Sequence, residues 1–292
     1  DDIAVKLGIP PYEYRWKYLM PKGYTDGFSK NVNYYDTFRE CMEKGSVGVD
    51  YERKRREYAQ QTGDIRKGIG MAAFWYNTGV WPISLETSSC RMVMNQDGSI
   101  QVQVGETEIG QGADTAFAQM AAETLGIPFD MVHVMTMQDT DITPFGLGAY
   151  ASRQTYMAGF SIRQTAELLK SHILDTAVEM TRQMKENLDI IDGNIVRTTD
   201  GSVLMSLGEL ATEKLYSLTN CGHLTAESTY QIKNNAYSFG CTFAEVEVDI
   251  PGCRATLTNI VNVHDSGKLI NPKLAAAQEK TAKIKESIAA LG

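Results

Sequence analysis

Between Gly105 and Gln154 the chain makes two glycine-bearing corners, each where a strand-like run turns into a helix, and this pair limits the fold more than any other feature. The first corner, Gly105-Glu-Thr-Glu-Ile-Gly-Gln-Gly112, follows an apolar run and leads into an amphipathic segment predicted to be helical over Ala113 to Leu125. A short apolar strand over Met131 to Met137 comes next. A turn-rich loop then ends in Gly148-Ala-Tyr-Ala-Ser-Arg-Gln154 and opens a long helix, Thr155 to Glu186. Glycine lets backbone approach a neighbour closely, and the first N–H groups of each helix have no partner inside it. If the two corners share one pocket, they suit a ligand that carries phosphate.

The surrounding pattern sets the fold class. Strands are predicted over Gly68 to Asn77, Ser84 to Asn95 and Ser99 to Val104, the last two joined as a hairpin through Gln96-Asp-Gly98. A second hairpin runs Ile190 to Thr198, Asp200-Gly201, Val203 to Met205, followed by a short helix from Ser206 to Leu215 with Ser206 and Glu209 at capping-box spacing. Three more strands follow, Leu224 to Ile232, Cys241 to Ile250 and Arg254 to Val263. Helical spacing points Ala116, Phe117, Met120 and Leu125 towards a core, and the long helix offers Leu168, Leu169, Ile173 and Val178. Strand–helix alternation interrupted by hairpins implies an α+β fold, mixed sheets with packed helices in two lobes. Residues 1–63 read as helical and loop pieces that wrap a neighbour: Ile3 to Leu7, Tyr12 to Leu19, Asn33 to Lys44 and Asp50 to Gln61. Residues 64–278 read as the binding domain, and 279–292 as a Lys/Glu-rich terminal helix.

Charge and cysteine usage exclude several functions. With 28 Lys+Arg against 36 Asp+Glu the net charge is -8, which argues against a nucleic-acid partner. No apolar run reaches the roughly 18 residues of a membrane span. The 5 cysteines are odd in number and never form C-x-x-C, so a disulfide framework or zinc site is not expected and the cytoplasm is the expected compartment. The 4 histidines are scattered without metal-ligand spacing, so no metal ligand is assigned.

The corners carry the chemistry. Gly105-x-x-x-x-Gly110 has the glycine spacing of a P-loop, but Gln111-Gly112 stands where Lys and Ser/Thr belong. A dinucleotide fingerprint also fails, because Thr115 replaces its third glycine. What remains at Gly110, Gln111 and Gly112 is a glycine loop with a carboxamide, a group that both donates and accepts and so fits a ligand with a mixed polar edge. In the second corner Ala149 and Ala151 leave room for close backbone approach, while Ser152, Arg153 and Gln154 offer a hydroxyl, a guanidinium and a carboxamide. Arg at a helix start needs a negative partner. Either a ligand anion supplies it, or Ser152 is a plain N-cap and Arg153 pairs with Asp139 or Asp141; sequence alone leaves both open. Glu106 and Glu108 are expected to bond backbone, and no residue is assigned a catalytic role.

Three motifs in one order then resemble a known family: Thr107-Glu-Ile-Gly-Gln-Gly112, Ala149-Tyr-Ala-Ser-Arg-Gln154, and His264-Asp-Ser-Gly-Lys-Leu-Ile-Asn-Pro272 with Gln278. They are similar to the molybdenum-cofactor-binding subunit of the xanthine dehydrogenase/aldehyde oxidase family, in its second cofactor-binding domain, with the bacterial xanthine dehydrogenase branch nearest. The N-terminal Leu7-Gly-Ile-Pro-Pro-Tyr-Glu-Tyr-Arg15 and Val32-Asn-Tyr-Tyr35 also resemble that family.

The resemblance implies molybdopterin, a Mo-pyranopterin that in bacteria often carries a cytosine dinucleotide extension. On it Gln111 and Gly112 contact the cofactor near the metal, Ala149, Ala151, Ser152, Arg153 and Gln154 line pterin and phosphate, and Gln278 contacts the pterin. It implies hydroxylation of a purine or related N-heterocycle with water as oxygen source and a glutamate as base. Electrons would leave through Fe–S and FAD on partner chains. The partners implied are the rest of the molybdenum subunit, an Fe–S subunit and an FAD subunit, and exposed former interfaces would let two copies pair as a homodimer. From Glu279 onward the family's glycine-rich loop is replaced by a Lys/Glu run and its catalytic glutamate does not appear, so the chain is expected to be a fragment inactive alone. The other function class is a non-catalytic molybdopterin carrier or assembly module.

Overall fold

The computed structural model describes residues 1–84, 86–135 and 139–278. In chain order the elements are helices α1 (Asp2–Lys6), α2 (Pro11–Tyr18), α3 (Thr37–Val49) and α4 (Tyr51–Tyr58), then strands β1 (Ile65–Thr78), β2 (Glu86–Met94) and β3 (Ile100–Val104). Helix α5 (Ala113–Leu125), strand β4 (Val132–Val134) and helix α6 (Gln154–Thr181) follow. Then come β5 (Leu188–Ile191), β6 (Asn194–Arg197), β7 (Val203–Ser206), α7 (Leu207–Leu215), β8 (Thr225–Ile232), β9 (Ala236–Asp249) and β10 (Arg254–Asp265). A last helical stretch occupies 272–278. The chain divides into two compact units, Gly79–Lys233 and the remainder, and the fold is α+β, with one mixed and two antiparallel sheets among the described residues.

The unit holding both termini is built on an antiparallel sheet in the order β1-β9-β10. Phe239, Cys241 and Phe243 alternate on one face of β9 and meet Phe38, Cys41 and Met42 of α3. Gly45 makes that approach possible, since a Cβ there would lie 2.4 Å from the Phe243 ring. Buried Glu245 on β9 is satisfied by Lys54 Nζ at 2.7 Å and Asn259 Nδ2 at 3.0 Å, next to the bulge between Leu257 and Asn259. Helices of the 1–63 segment therefore supply core to this unit.

The unit Gly79–Lys233 carries a sheet ordered β4-β3-β2-β8, with β3 and β4 parallel and joined through α5. Along β2 every second residue is buried: Glu86, Ser88, Cys90, Met92 and Met94. On β3 Ile100, Val102 and Val104 face the same interior. Phe117, Ala121 and Leu125 of α5 and Ile162, Leu169 and Ile173 of α6 close the core over them. Burying one such aliphatic or aromatic side chain is worth roughly 1.5–3 kcal/mol, so this layer carries the unit.

Several expectations are corrected here. The strand read over Ile190 to Thr198 is broken at Asp192-Gly193, both with left-handed φ, into β5 and β6, and with β7 these form a three-stranded sheet. Two positive-φ central residues are what a tight hairpin turn requires. The long helix ends at Thr181, with Arg182 in the left-handed conformation, rather than at Glu186. Leu168 is exposed, while Leu169 beside it is fully buried. Ala116 and Met120 are half-buried, whereas Phe117 and Leu125 are core. A 3-10 turn over Phe129–Met131 delays the next strand to Val132–Val134, and Met135 is already past it; the rest of the expected span, 136–137, lies outside the described residues, as does the helix expected over 279–292.

Candidate functional site

The first corner is organised by a carboxylate of its own. Gly110 and Gly112 take φ of 94° and 84°, and α5 starts immediately after. The turn aims backbone N–H groups inward, and Glu108 collects them: its Oε1 accepts from Gly110 N at 2.6 Å and Gly112 N at 3.1 Å, its Oε2 from Asp114 N at 3.1 Å. Partial burial works against ionising Glu108, but the bonds from Asp114, Gly112, Gly110 and Ala113 outweigh it and hold its carboxyl below the usual glutamate range. The helix N-terminus expected to wait for a ligand anion already holds one. The expectation for Glu108, that it bonds backbone, is met.

The second corner reaches the first through glycine-on-glycine contact. A Cβ on Gly105 would lie 2.3 Å from Gly146 N, and one on Gly146 would lie 2.5 Å from the Gly105 carbonyl carbon. Gly146 also bridges Ser88 at the start of β2. Beyond it the chain passes Gly148 at φ 90° and then sets two non-glycine residues, Ala151 and Ser152, at φ 47° and 52°. Left-handed backbone at such residues costs of order 1 kcal/mol or more each and persists only where the surroundings enforce it. One enforcing contact is the hydrogen bond from Gly79 N to Ala151 O at 2.9 Å. Ser152 is not the N-cap of α6; Arg153 holds that position, without a side-chain cap.

Arg153 supplies the rest. Its side chain is fully buried, with Nε donating to Glu86 at 2.7 Å, Nη1 to Glu106 at 3.0 Å and to Gly148 O at 3.2 Å, and Nη2 to Thr87 O at 2.6 Å. The alternative pairing with Asp139 or Asp141 is therefore wrong, and Glu106 bonds Arg153 and Ser88 Oγ in addition to its own backbone N–H. Burial pushes the Glu106 carboxyl up, against the lowering effect of Ser88 and Arg153. Sequence reasoning missed Glu86 altogether. The signal was there: Glu86 is in phase with Cys90, Met92 and Met94, and Glu106 with Ile100, Val102 and Val104, so the period of 2 turns both inward.

The two corners are closed by carboxamides. Gln111 Nε2 donates to Gln154 Oε1 and, at 3.1 Å, to Thr107 O, while its Oε1 accepts from Ile109 N at 2.7 Å. Gln154 Nε2 donates to Thr107 O at 2.8 Å. Both amides are thus oriented by backbone. Each side-chain amide offers two donors and two acceptor lone pairs, so among the described residues these bonds leave acceptor capacity on both and one N–H on Gln154. Gln111 is half-buried and Gln154 nearly buried, beside the exposed Ile109 and Gly110. Gln278 belongs to the other unit, exposed on the 272–278 helix. Among the described residues no three metal-ligating side chains converge.

Residues 44–282 match the family model of the molybdopterin cofactor-binding domain. The putative xanthine dehydrogenase molybdenum-binding subunit of Escherichia coli K12 is 44% identical over 279 residues, covering 95% of this chain and 37% of its own length. A probable hypoxanthine oxidase of the same organism is 33% identical over 218 residues, 75% of this chain and 22% of that protein. The structure of quinoline 2-oxidoreductase from Pseudomonas putida 86 superposes with a TM-score of 0.78 at 25% identity, over 95% of this chain and 37% of that one. The chain thus spans less than two-fifths of the length of these relatives.

Proposed function

The chain belongs to the molybdopterin cofactor-binding domain family, and from that premise we propose that it is the second cofactor-binding part of a molybdenum hydroxylase that oxidises a purine or related N-heterocycle. Relatives named for xanthine and hypoxanthine support the purine class. When bound, the cofactor supplies two-electron oxidation of the heterocycle. This chain's residues bind and orient it: Gly110, Gln111 and Gly112 from one corner, Ala149, Ala151, Ser152 and Gln154 from the other, and Gln278. Arg153 acts from behind the second corner. The cytosine dinucleotide form, an Fe–S and an FAD subunit as electron carriers, the remaining part of the molybdenum subunit, pairing as a homodimer, and a cytoplasmic location all belong to the same reading. We assign no residue of this chain to proton transfer.

The observation that carries the reading is the Gln111–Gln154 bond, which joins positions 43 residues apart into one donor–acceptor edge. A pterin ring presents alternating donors and acceptors, the pattern that fixed carboxamides read. The fit is to that edge. It is not to an anion at the start of α5, where Glu108 sits, nor at Arg153, whose charge is met by Glu86 and Glu106. In the assembled protein, Gln111→Ala and Gln154→Ala are each expected to lower molybdenum and pterin content by about tenfold, the worth of one or two hydrogen bonds. Metal analysis finding no molybdenum in the wild-type assembly would refute the proposal.

A further inference from the structure

The fully buried Arg153 lies directly between the left-handed pair Ala151-Ser152 and the carboxamide of Gln154. Its guanidinium reaches three separate pieces of chain: Glu86 and Thr87 O on β2, Glu106 two residues past β3, and Gly148 O five residues back in its own loop. The last of these closes the loop on itself. Because the other contacts are to β2 and to Glu106 of the first corner, the corner from Gly148 to Gln154 is fastened both to the sheet and to the first corner. Glu86 ties in the preceding segment as well, accepting from Val80 N at 2.8 Å, and Gly79 N in turn holds Ala151 O. Tyr150 packs against the guanidinium, its ring centre 5.2 Å from the central carbon. We infer that Arg153, braced by Glu86 and Glu106, is a positioning residue: it holds the left-handed turn at Ala151-Ser152 and so fixes Gln154 against Gln111, without itself touching a ligand.

The geometry requires arginine. Four of the five N–H donors in its planar fork make these bonds, and a lysine ammonium, with three donors at one point, cannot span them. Two carboxylates for one guanidinium also leave no unmet positive charge to receive an anion. The inference rests on the proposed cofactor reading for its purpose, but the turn itself can be probed without cofactor.

The test is Arg153→Lys in the assembled protein, followed by amide hydrogen exchange and by molybdenum and pterin content. Faster exchange confined to 148–156, unchanged protection in the Ile162 to Ala177 stretch of α6, and cofactor content down at least tenfold are expected. Glu106→Gln keeps an oxygen facing Arg153 and is expected to give the same local pattern more weakly, which covers the case in which Arg153→Lys fails to fold. Wild-type exchange at 148–156 in both variants, or loss of protection spread through the whole unit in Glu106→Gln, would overturn the inference. A wild-type assembly without pterin would defeat the cofactor reading instead, leaving the exchange pattern to decide this one.

Discussion

Replacing Gly105 by alanine isolates the contact on which the shared site depends. Gly105 is not among the residues with positive φ, so alanine meets no backbone penalty there and any effect is steric. Its Cβ would stand 2.3 Å from Gly146 N, 2.5 Å from Gly146 Cα and 2.6 Å from the Phe145 carbonyl carbon. All three obstacles are backbone, so no rotamer change relieves them. Restoring ordinary contact of roughly 3.4 Å means parting the corners by about 1 Å. Overpacking of this kind costs roughly 1–3 kcal/mol, and losing the Ser88–Gly146 bridge adds about 1 kcal/mol. The same displacement is carried to the Gln111–Gln154 bond, where it exceeds what a hydrogen bond tolerates. Urea unfolding should show a loss of about 2–4 kcal/mol, together with reduced pterin content in the assembled protein. Gly110→Ala is the control: its Cβ meets nothing within 4 Å but its φ is 94°, so its penalty is conformational, roughly 1–2 kcal/mol. If Gly105→Ala proved no more destabilising than Gly110→Ala, the two corners would not be in the contact described.

Other outcomes follow from the same geometry. Glu108, held below the usual range by backbone N–H groups, contributes stability that is present above the unfolded glutamate pKa and lost as pH falls towards the folded one. Glu108→Gln should flatten that acid limb in urea midpoints measured from about pH 3 to 7. Glu106 has the opposite sign: burial raises its pKa, so its effect on stability is most favourable at low pH and declines as pH rises through the folded value. Glu106→Gln should remove that decline, and an unchanged pH profile would show that the carboxyl is not desolvated. Phe117→Ala, at a fully buried site, should cost roughly 3–5 kcal/mol, whereas Leu168→Ala, at an exposed one, should stay near 0.5 kcal/mol; thermal melts decide both.

Helix α5 was legible to the residue, because Gly112 and Gly126 bracket a strongly patterned segment and both adopt the left-handed conformation. The capping box at Ser206 and Glu209 was legible for the same local reason. The Asp192-Gly193 turn was equally local but was hidden by the apolar run on either side, which reads as one strand until the glycine is given its turn role. Arg153 was a different kind of failure. Its partners lie 67 and 47 residues away, so no neighbourhood of the sequence contains them. Nearby aspartates were the natural guess, and only phase on β2 and β3 could have argued for glutamates instead. That a carboxylate would sit on an inward position at all runs against the usual rule for cores, and it is tolerated here because the guanidinium meets both.

These internal pairings change what kind of recognition the corners perform. A helix N-terminus and an arginine read in sequence as two receptors for negative charge, yet each is neutralised from within, by Glu108 and by the Glu86–Glu106 pair. What faces outward is backbone and carboxamide. Charge attraction would have drawn in any phosphate; oriented amides accept only a ligand whose donors and acceptors fall in the matching order, because a mismatch leaves a partly buried polar group unpaired at about 1–3 kcal/mol each. On the proposed reading the site selects for the heterocyclic part of the cofactor before its phosphate. Pterin compounds lacking the phosphate tail should then compete for the corner formed by Gln111 and Gln154, while inorganic phosphate or pyrophosphate should not. Competition in the reverse order, measured by displacement of cofactor from the assembled protein, would mean that the corners recognise the anion first and would refute this order of selection.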